Sequence, residues 1–167
     1  MRSRSRKTLI YLTRGGMIAA LYTVLTYLSF IFGLSSGVIQ FRISEALCIL
    51  PIFMPEAIIG LTLGCFISNL LTGSAFWDIL FGSIATLIGA VGAYSLRKVS
   101  EKIKWLTTIP TILANMLIIP LVLIYAYGVT DGYLFLVCTV GIGEIVCAGI
   151  GGSILYYSMR KSKFKPL

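Results

Sequence analysis

Long runs without a single charged side chain dominate this sequence: residues 15–41 and 105–130 contain no Asp, Glu, Lys or Arg. A hydrocarbon core about 30 Å thick is crossed by about 20 helical residues of that kind. Inside it every backbone polar group must pair within the protein, so only helices or closed barrels span it. With 12% charged residues and a mean hydropathy of +0.95, a water-soluble domain is excluded. The chain therefore reads as all-α, a polytopic membrane protein with six transmembrane helices.

The expected spans cover residues 15–32, 43–53, 56–71, 77–96, 106–127 and 133–159. The second is only about half a span long and is punctuated by Pro51 and Pro55. Residues 43–71 therefore read either as two spans or as a re-entrant hairpin. Pro110 and Pro120 mark expected kinks in the fifth span. A single integral membrane domain over 1–167 is expected, with a basic N-terminal segment 1–14 and a basic tail 160–167. The apolar patch from Thr8 to Leu12 reads as interfacial, and the basic start as a retained first helix rather than a signal peptide.

The net charge of +8 is segregated. Arg2, Arg4, Arg6, Lys7 and Arg14 form one group, Arg97, Lys98, Lys102 and Lys104 a second, and Arg160, Lys161, Lys163 and Lys165 a third. With six spans, all three groups fall on one side. That is the positive-inside pattern, with both termini cytoplasmic and contacts to anionic lipid, rather than a nucleic-acid tail. Trp77, Tyr127 and Tyr133 would then mark the outer interface, and Tyr94, Trp105, Tyr156 and Tyr157 the inner one.

The chemistry available is narrow. There is no histidine, no Gly-Lys pair and hence no phosphate-binding P-loop, and no HExxH. The four cysteines, Cys48, Cys65, Cys138 and Cys147, sit in apolar runs without a CxxC spacing. They read as small buried side chains. No catalytic residue, metal site or cofactor is expected, and no enzyme.

What stands out instead are polar groups at membrane depth, which cost about 2.5–3.5 kcal/mol per central charge on insertion scales. Glu144 lies near the middle of the last span and Asn115 near the middle of the fifth. Counted from the turn near Asp131, both lie roughly 18–20 Å deep at 1.5 Å per residue. A carboxylate beside a carboxamide suits a planar ligand rich in N–H donors and C=O acceptors. Gln40, Arg42 and Glu45 form a second cluster where the short span begins. Arg42 and Glu45 are spaced to pair on a helix. Asp78 starts the fourth span, where it either caps the helix or meets a ligand. Asn69 is expected close to Asp78 if the intervening loop is tight. Glu56 reads as a helix cap and Asp131 as a turn residue. Small residues repeat at four-residue spacing as Gly15/Ala19 and Gly16/Ala20, Gly60/Gly64, Ala85/Gly89/Ala93 and Ala148/Gly152. Such stripes let helices approach closely, within the bundle or against a partner.

The runs IQFRISEALCILP (39–51), GLTLGCFISNLLTG (60–73) and WDILFGSIATLIGA (77–90), with GIGEI (141–145), resemble the queuosine-precursor transporter family (QueT). The resemblance covers roughly residues 15–155. It implies a substrate-binding S component of an energy-coupling-factor (ECF) importer in a bacterial plasma membrane. Its implied partners are a transmembrane T component and two cytoplasmic ATPase subunits. Its implied cargo is a 7-deazaguanine base such as 7-aminomethyl-7-deazaguanine, or queuine. It also implies docking through small residues of the first helix, where Gly15, Gly16, Ala19 and Ala20 stand in place of the family's alanine pattern. A stand-alone proton-coupled carrier using Glu144 is the alternative, and it is weakened by the lack of an inverted repeat. A structural membrane protein without a ligand is a third reading.

Overall fold

In the computed structural model, which describes residues 2–35, 40–99 and 101–162, all regular structure is helical. The end of the 33–37 loop, the motif's first residue Ile39, and Lys163 and Lys165 lie outside the described residues. So do the side chains of Arg2, Arg4 and Lys102. The first helix, α1 (Arg2–Ile31), is continuous through the apolar patch expected at the interface. A 3-10 helix (Ile43–Ile52) follows, then α2 (Glu56–Leu71), α3 (Phe76–Ser95), α4 (Ile109–Tyr127) and α5 (Tyr133–Lys161). The chain is an all-α polytopic membrane protein. Four helices are long and apolar enough to cross a bilayer, while Ile43–Ile52 and Glu56–Leu71 are shorter.

The distribution of polarity is that of a bundle immersed in lipid. Leu12, Phe32, Ile59, Phe76, Leu134 and Ile154 are exposed, whereas Thr26, Ser44, Glu45, Asn69, Asn115 and Glu144 are buried. Most hydroxyls on the helices bond back to a carbonyl one turn earlier, as Ser83 does to Ile79 at 2.6 Å and Ser153 to Gly149 at 2.7 Å. Those hydroxyls are thereby satisfied without water.

α1 packs along α2, α2 along α3, α3 along α4 and α4 along α5. The 3-10 helix sits among α1, α3 and α5, with Ser44, Glu45, Leu47, Cys48, Ile49 and Leu50 all buried. It descends towards the basic end of the bundle, where Phe53 stacks on Tyr156 with centroids 5.3 Å apart. The chain turns there at Pro55, and α2 climbs back. Glu56 begins α2, and its partner is Arg14 of α1 at 3.3 Å, not only its own helix end. Residues 43–71 thus form a hairpin of a half-length descending helix and an ascending one, reaching the basic end.

The small-residue stripes separate into two uses. A Cβ on Gly60 would stand 2.7 Å from the Gly15 carbonyl oxygen, and one on Gly64 2.8 Å from Tyr22 Cβ. Gly15 and Ala19 therefore face α2 and let the backbones meet, while Gly16 and Ala20 are exposed on the outer face of α1. Pro110 lies in the first turn of α4, where its missing N–H costs nothing, so it starts the helix and does not kink it. Pro120 remains inside α4.

α5 departs from a regular helix immediately after Glu144. Residues Ile145–Gly151 form a π segment before α-geometry resumes at Gly152. A π turn admits an extra residue and re-aims the side chains beside it.

Because Gly64 abuts α1 backbone and Tyr22, Gly64→Ala forces α1 and α2 apart. The expected cost is about 1–3 kcal/mol, as for overpacking of a tight contact. It is read as a lowered thermal midpoint of the purified protein, with Gly16→Ala, where nothing lies within 4 Å of the new Cβ, as the neutral control.

Candidate functional site

At the end of the bundle opposite the basic residues lies a cavity of about 490 Å³. The helix ends that meet there supply its walls: the end of α1, the start of the 3-10 helix, the loop from α2 to α3, and the turn from α4 to α5. Its polar lining includes Thr26, Gln40, Arg42, Asn69, Asp78 and Tyr127, and Ile119 and Leu136 are among its apolar walls.

Arg42 is placed by backbone geometry. It is extended (φ −101°, ψ 97°) just before the 3-10 helix begins. Its guanidinium Nη2 lies 3.8 Å from Asp78 Oδ2 in the first turn of α3. Tyr127, the last residue of α4, donates its hydroxyl to the same Oδ2 at 2.9 Å and accepts from the Ala75 N–H at 3.1 Å. Asn69 donates to the Asp78 backbone carbonyl at 3.4 Å, so the α2–α3 loop is as tight as its proximity to Asp78 required. The Asp78 carboxylate is thus held by groups from outside its own helix. Its other oxygen, Oδ1, is buried without a hydrogen-bond partner.

The Arg42–Glu45 pair allowed by helical spacing does not form. The 3-10 geometry eclipses residues three apart, but Arg42 precedes the helix in extended backbone and turns to Asp78. Glu45 instead accepts from the Tyr22 hydroxyl and, at 3.0 Å, from the Cys48 thiol. Thr26 donates to Ser44 at 2.7 Å, and Ser29 accepts from the Ile43 N–H at 3.2 Å. Tyr22, Thr26 and Ser29 form a buried polar stripe on α1 that fixes the start of the 3-10 helix.

Deeper in the bundle, Glu144 and Asn115 come together, with Glu45 and Arg42 within electrostatic reach of Glu144. Glu144 is 7% exposed and Asn115 3%. Asn115 lies within reach of the Glu144 carboxyl, but neither Asn115 Nδ2 nor Glu144 Oε2 makes a well-aligned hydrogen bond, and Thr111 Oγ1 one turn earlier on α4 has none. Gly143 lets the chain pass: a Cβ there would overlap the Gln40 carbonyl oxygen. Glu144, Asn115 and Glu45 are not among the residues lining the open cavity, whereas Arg42, Asp78, Gln40 and Asn69 are. The polar residues picked from the sequence thus divide into a mouth layer and a buried layer, joined through Arg42. No group of three or more metal-ligating side chains occurs among the described residues.

A family model described as QueT transporter matches residues 12–161. The chain belongs to that family. A relative from Lactococcus lactis subsp. cremoris, named Queuosine precursor transporter QueT, is 42% identical over 73 residues. The matched segment covers 43% of this chain and 42% of that relative, less than half the relative's length. No solved structure matches the chain.

In this family member, sequence reasoning missed Thr26, Thr111 and Tyr127 as site residues. Tyr127 reads as an interfacial aromatic until the fold brings its hydroxyl to Asp78. Thr111 shares a helix face with Asn115 at four-residue spacing, a signal that was available. Asp131, read as a turn residue, also lines the cavity.

Tyr127→Phe removes the hydroxyl that joins Asp78 to the Ala75 N–H. The expected loss is about 1 kcal/mol, typical of a hydrogen bond. Asp78→Ala costs more, because it strands the Arg42 guanidinium. Thermal unfolding of the two variants in the same detergent checks the order, and equal losses would contradict it.

Proposed function

We propose that this chain is the substrate-binding S component of an ECF importer, capturing a queuosine precursor from outside the bacterial plasma membrane. In this reading it is multi-pass with both termini cytoplasmic, and the cavity opens outward. The transmembrane T component and two ATPase subunits supply coupling and hydrolysis, since no residue pattern here binds ATP. The cargo class is a 7-deazaguanine base, 7-aminomethyl-7-deazaguanine or queuine, in keeping with the name of the relative.

One observation carries this. Asp78 pairs with the Arg42 guanidinium at 3.8 Å, and two more buried carboxylates, Glu45 and Glu144, lie within electrostatic reach of it inside an apolar bundle. Three of the atoms there, Asp78 Oδ1, Glu144 Oε2 and Asn115 Nδ2, are buried without a well-aligned hydrogen bond. Unpaired buried polar atoms are costly, and this set matches a cationic base rich in N–H donors. Glu144 would accept from the guanine-like edge, Asn115 would donate to its carbonyl, and Asp78 or Glu45 would meet the aminomethyl cation. Gln40 and Asn69 would position the ligand at the mouth. The alternative, proton-coupled exchange through Glu144, needs no partner proteins.

Thermal-shift titration of the purified protein tests the cargo. A bound base at 100 times its Kd adds about 2.7 kcal/mol of stability. 7-Aminomethyl-7-deazaguanine is expected to give this shift and adenine is not, and Glu144→Gln is expected to lower the affinity at least tenfold. Unchanged affinity in Glu144→Gln overturns the edge role. Uptake into vesicles containing only this chain would favour the carrier.

Docking on a T component would use the outward stripe of α1, Gly16 and Ala20, because Gly15 and Ala19 are occupied by α2. Gly16→Leu should leave ligand binding intact and abolish co-purification with the ATPase module. Retained co-purification would move docking elsewhere.

A further inference from the structure

Residues of the π segment Ile145–Gly151 also line a groove on the lipid-facing side of the bundle. There α5 presents Gly149, which has no side chain, and Ser153, which has a short one. Ile109, Ile112 and Leu113 of α4 stand opposite. Between them runs this groove of about 740 Å³, lined also by Ile145, Ile150 and Ile154 and bounded at the basic end by Trp105 and Tyr157.

Between its aromatic end and Leu113 the groove is almost wholly apolar. Its two aliphatic hydroxyls are committed to their own helices, Thr108 donating to the Trp105 carbonyl at 2.8 Å and Ser153 to Gly149 at 2.7 Å, and the third, Tyr157, stands at the basic end. Its length from Trp105 to Leu113 is about 14 Å, taking about 2.0 Å per residue through the 3-10 turn that ends at Thr108 and about 1.5 Å beyond it, close to the depth of one leaflet. Trp105 and Tyr157 are each 53% exposed, in the position of interfacial aromatics. Beyond them the charge is positive. Ile150, Ile154, Tyr157 and Lys161 follow one another at four-, three- and four-residue spacing on one face of α5, so exposed Lys161 stands one turn past the groove's mouth. Exposed Lys98 lies in the adjoining turn.

We infer that this groove binds one acyl chain of an anionic phospholipid, with the phosphate at Lys161 and the glycerol region between Trp105 and Tyr157. The apolar channel sets the depth of the chain, and the cation selects the headgroup. The site is separate from the cavity, so it stands whether or not the cargo reading holds. In the proposed orientation the lipid belongs to the inner leaflet, where anionic headgroups attract basic residues.

The test uses the full chain, purified and delipidated in detergent, with phosphatidylglycerol and phosphatidylcholine of identical acyl chains. Phosphatidylglycerol is expected to survive as a one-lipid adduct in native mass spectrometry and to raise the thermal midpoint by several degrees. Phosphatidylcholine is expected to do neither. Lys161→Glu should erase the preference between headgroups. Gly149→Leu should remove binding of both lipids, since its Cβ would meet Ile112 at an ordinary 3.6 Å and its side chain would fill the groove. Circular dichroism and gel filtration establish that each variant is folded, and if Gly149→Leu is not, Ser153→Leu takes its place. Equal response to the two lipids, or undiminished phosphatidylglycerol binding in the filled groove, overturns the proposal. A groove reserved for a helix of another membrane protein would give that second result.

Discussion

The arrangement depends on fastening a half-length helix inside a bundle that water does not reach. The 3-10 helix Ile43–Ile52 is buried from Ser44 onward, so the polar groups at its start need partners within the protein. α1 supplies them and their neighbours: Ser29 accepts from Ile43, Thr26 bonds Ser44, and Tyr22 bonds Glu45. With the helix held in that way, Arg42 is fixed just ahead of it and reaches across to Asp78. The walls of the cavity follow from this one anchorage, because Asp78 in turn collects Tyr127 from α4 and, through its carbonyl, Asn69 from α2.

Close packing of small residues makes the anchorage possible. Gly60 and Gly64 admit the α1 backbone, and Gly143 admits the Gln40 segment. The same glycines that bring the helices together bring their polar stripes within bonding distance. Lipid supplies no hydrophobic force between helices, so this contact and the buried hydrogen bonds carry association. Among the described residues, the sides of the bundle between its two polar ends remain largely apolar.

Two irregular helices bracket the buried layer. The 3-10 segment carries Glu45 and the π segment starts directly after Glu144. Irregular helical geometry alters side-chain direction without breaking the backbone ladder, and in both places it lies beside a carboxylate. Residues of the π segment, Ile145, Gly149 and Ile150, also line the lipid-facing groove.

Much of this was legible in the sequence. Charge-free runs determine membrane helices, because hydrocarbon tolerates few alternatives, and the prolines with the short run at 43–53 mark the half-length helix. The family motifs and the membrane-depth residues Glu144, Asn115, Asp78 and Arg42 are equally visible, since polar groups in such surroundings are conspicuous. Only tertiary structure decided their partners. Helical spacing pairs Arg42 with Glu45, but extended backbone at Arg42 sends it to Asp78. Sequence treats Gly15/Ala19 and Gly16/Ala20 alike, and packing assigns one pair to α2 and leaves the other facing outward. Spacing constrains neighbours along one helix, whereas contacts between helices depend on rotation and depth, which the linear pattern does not encode.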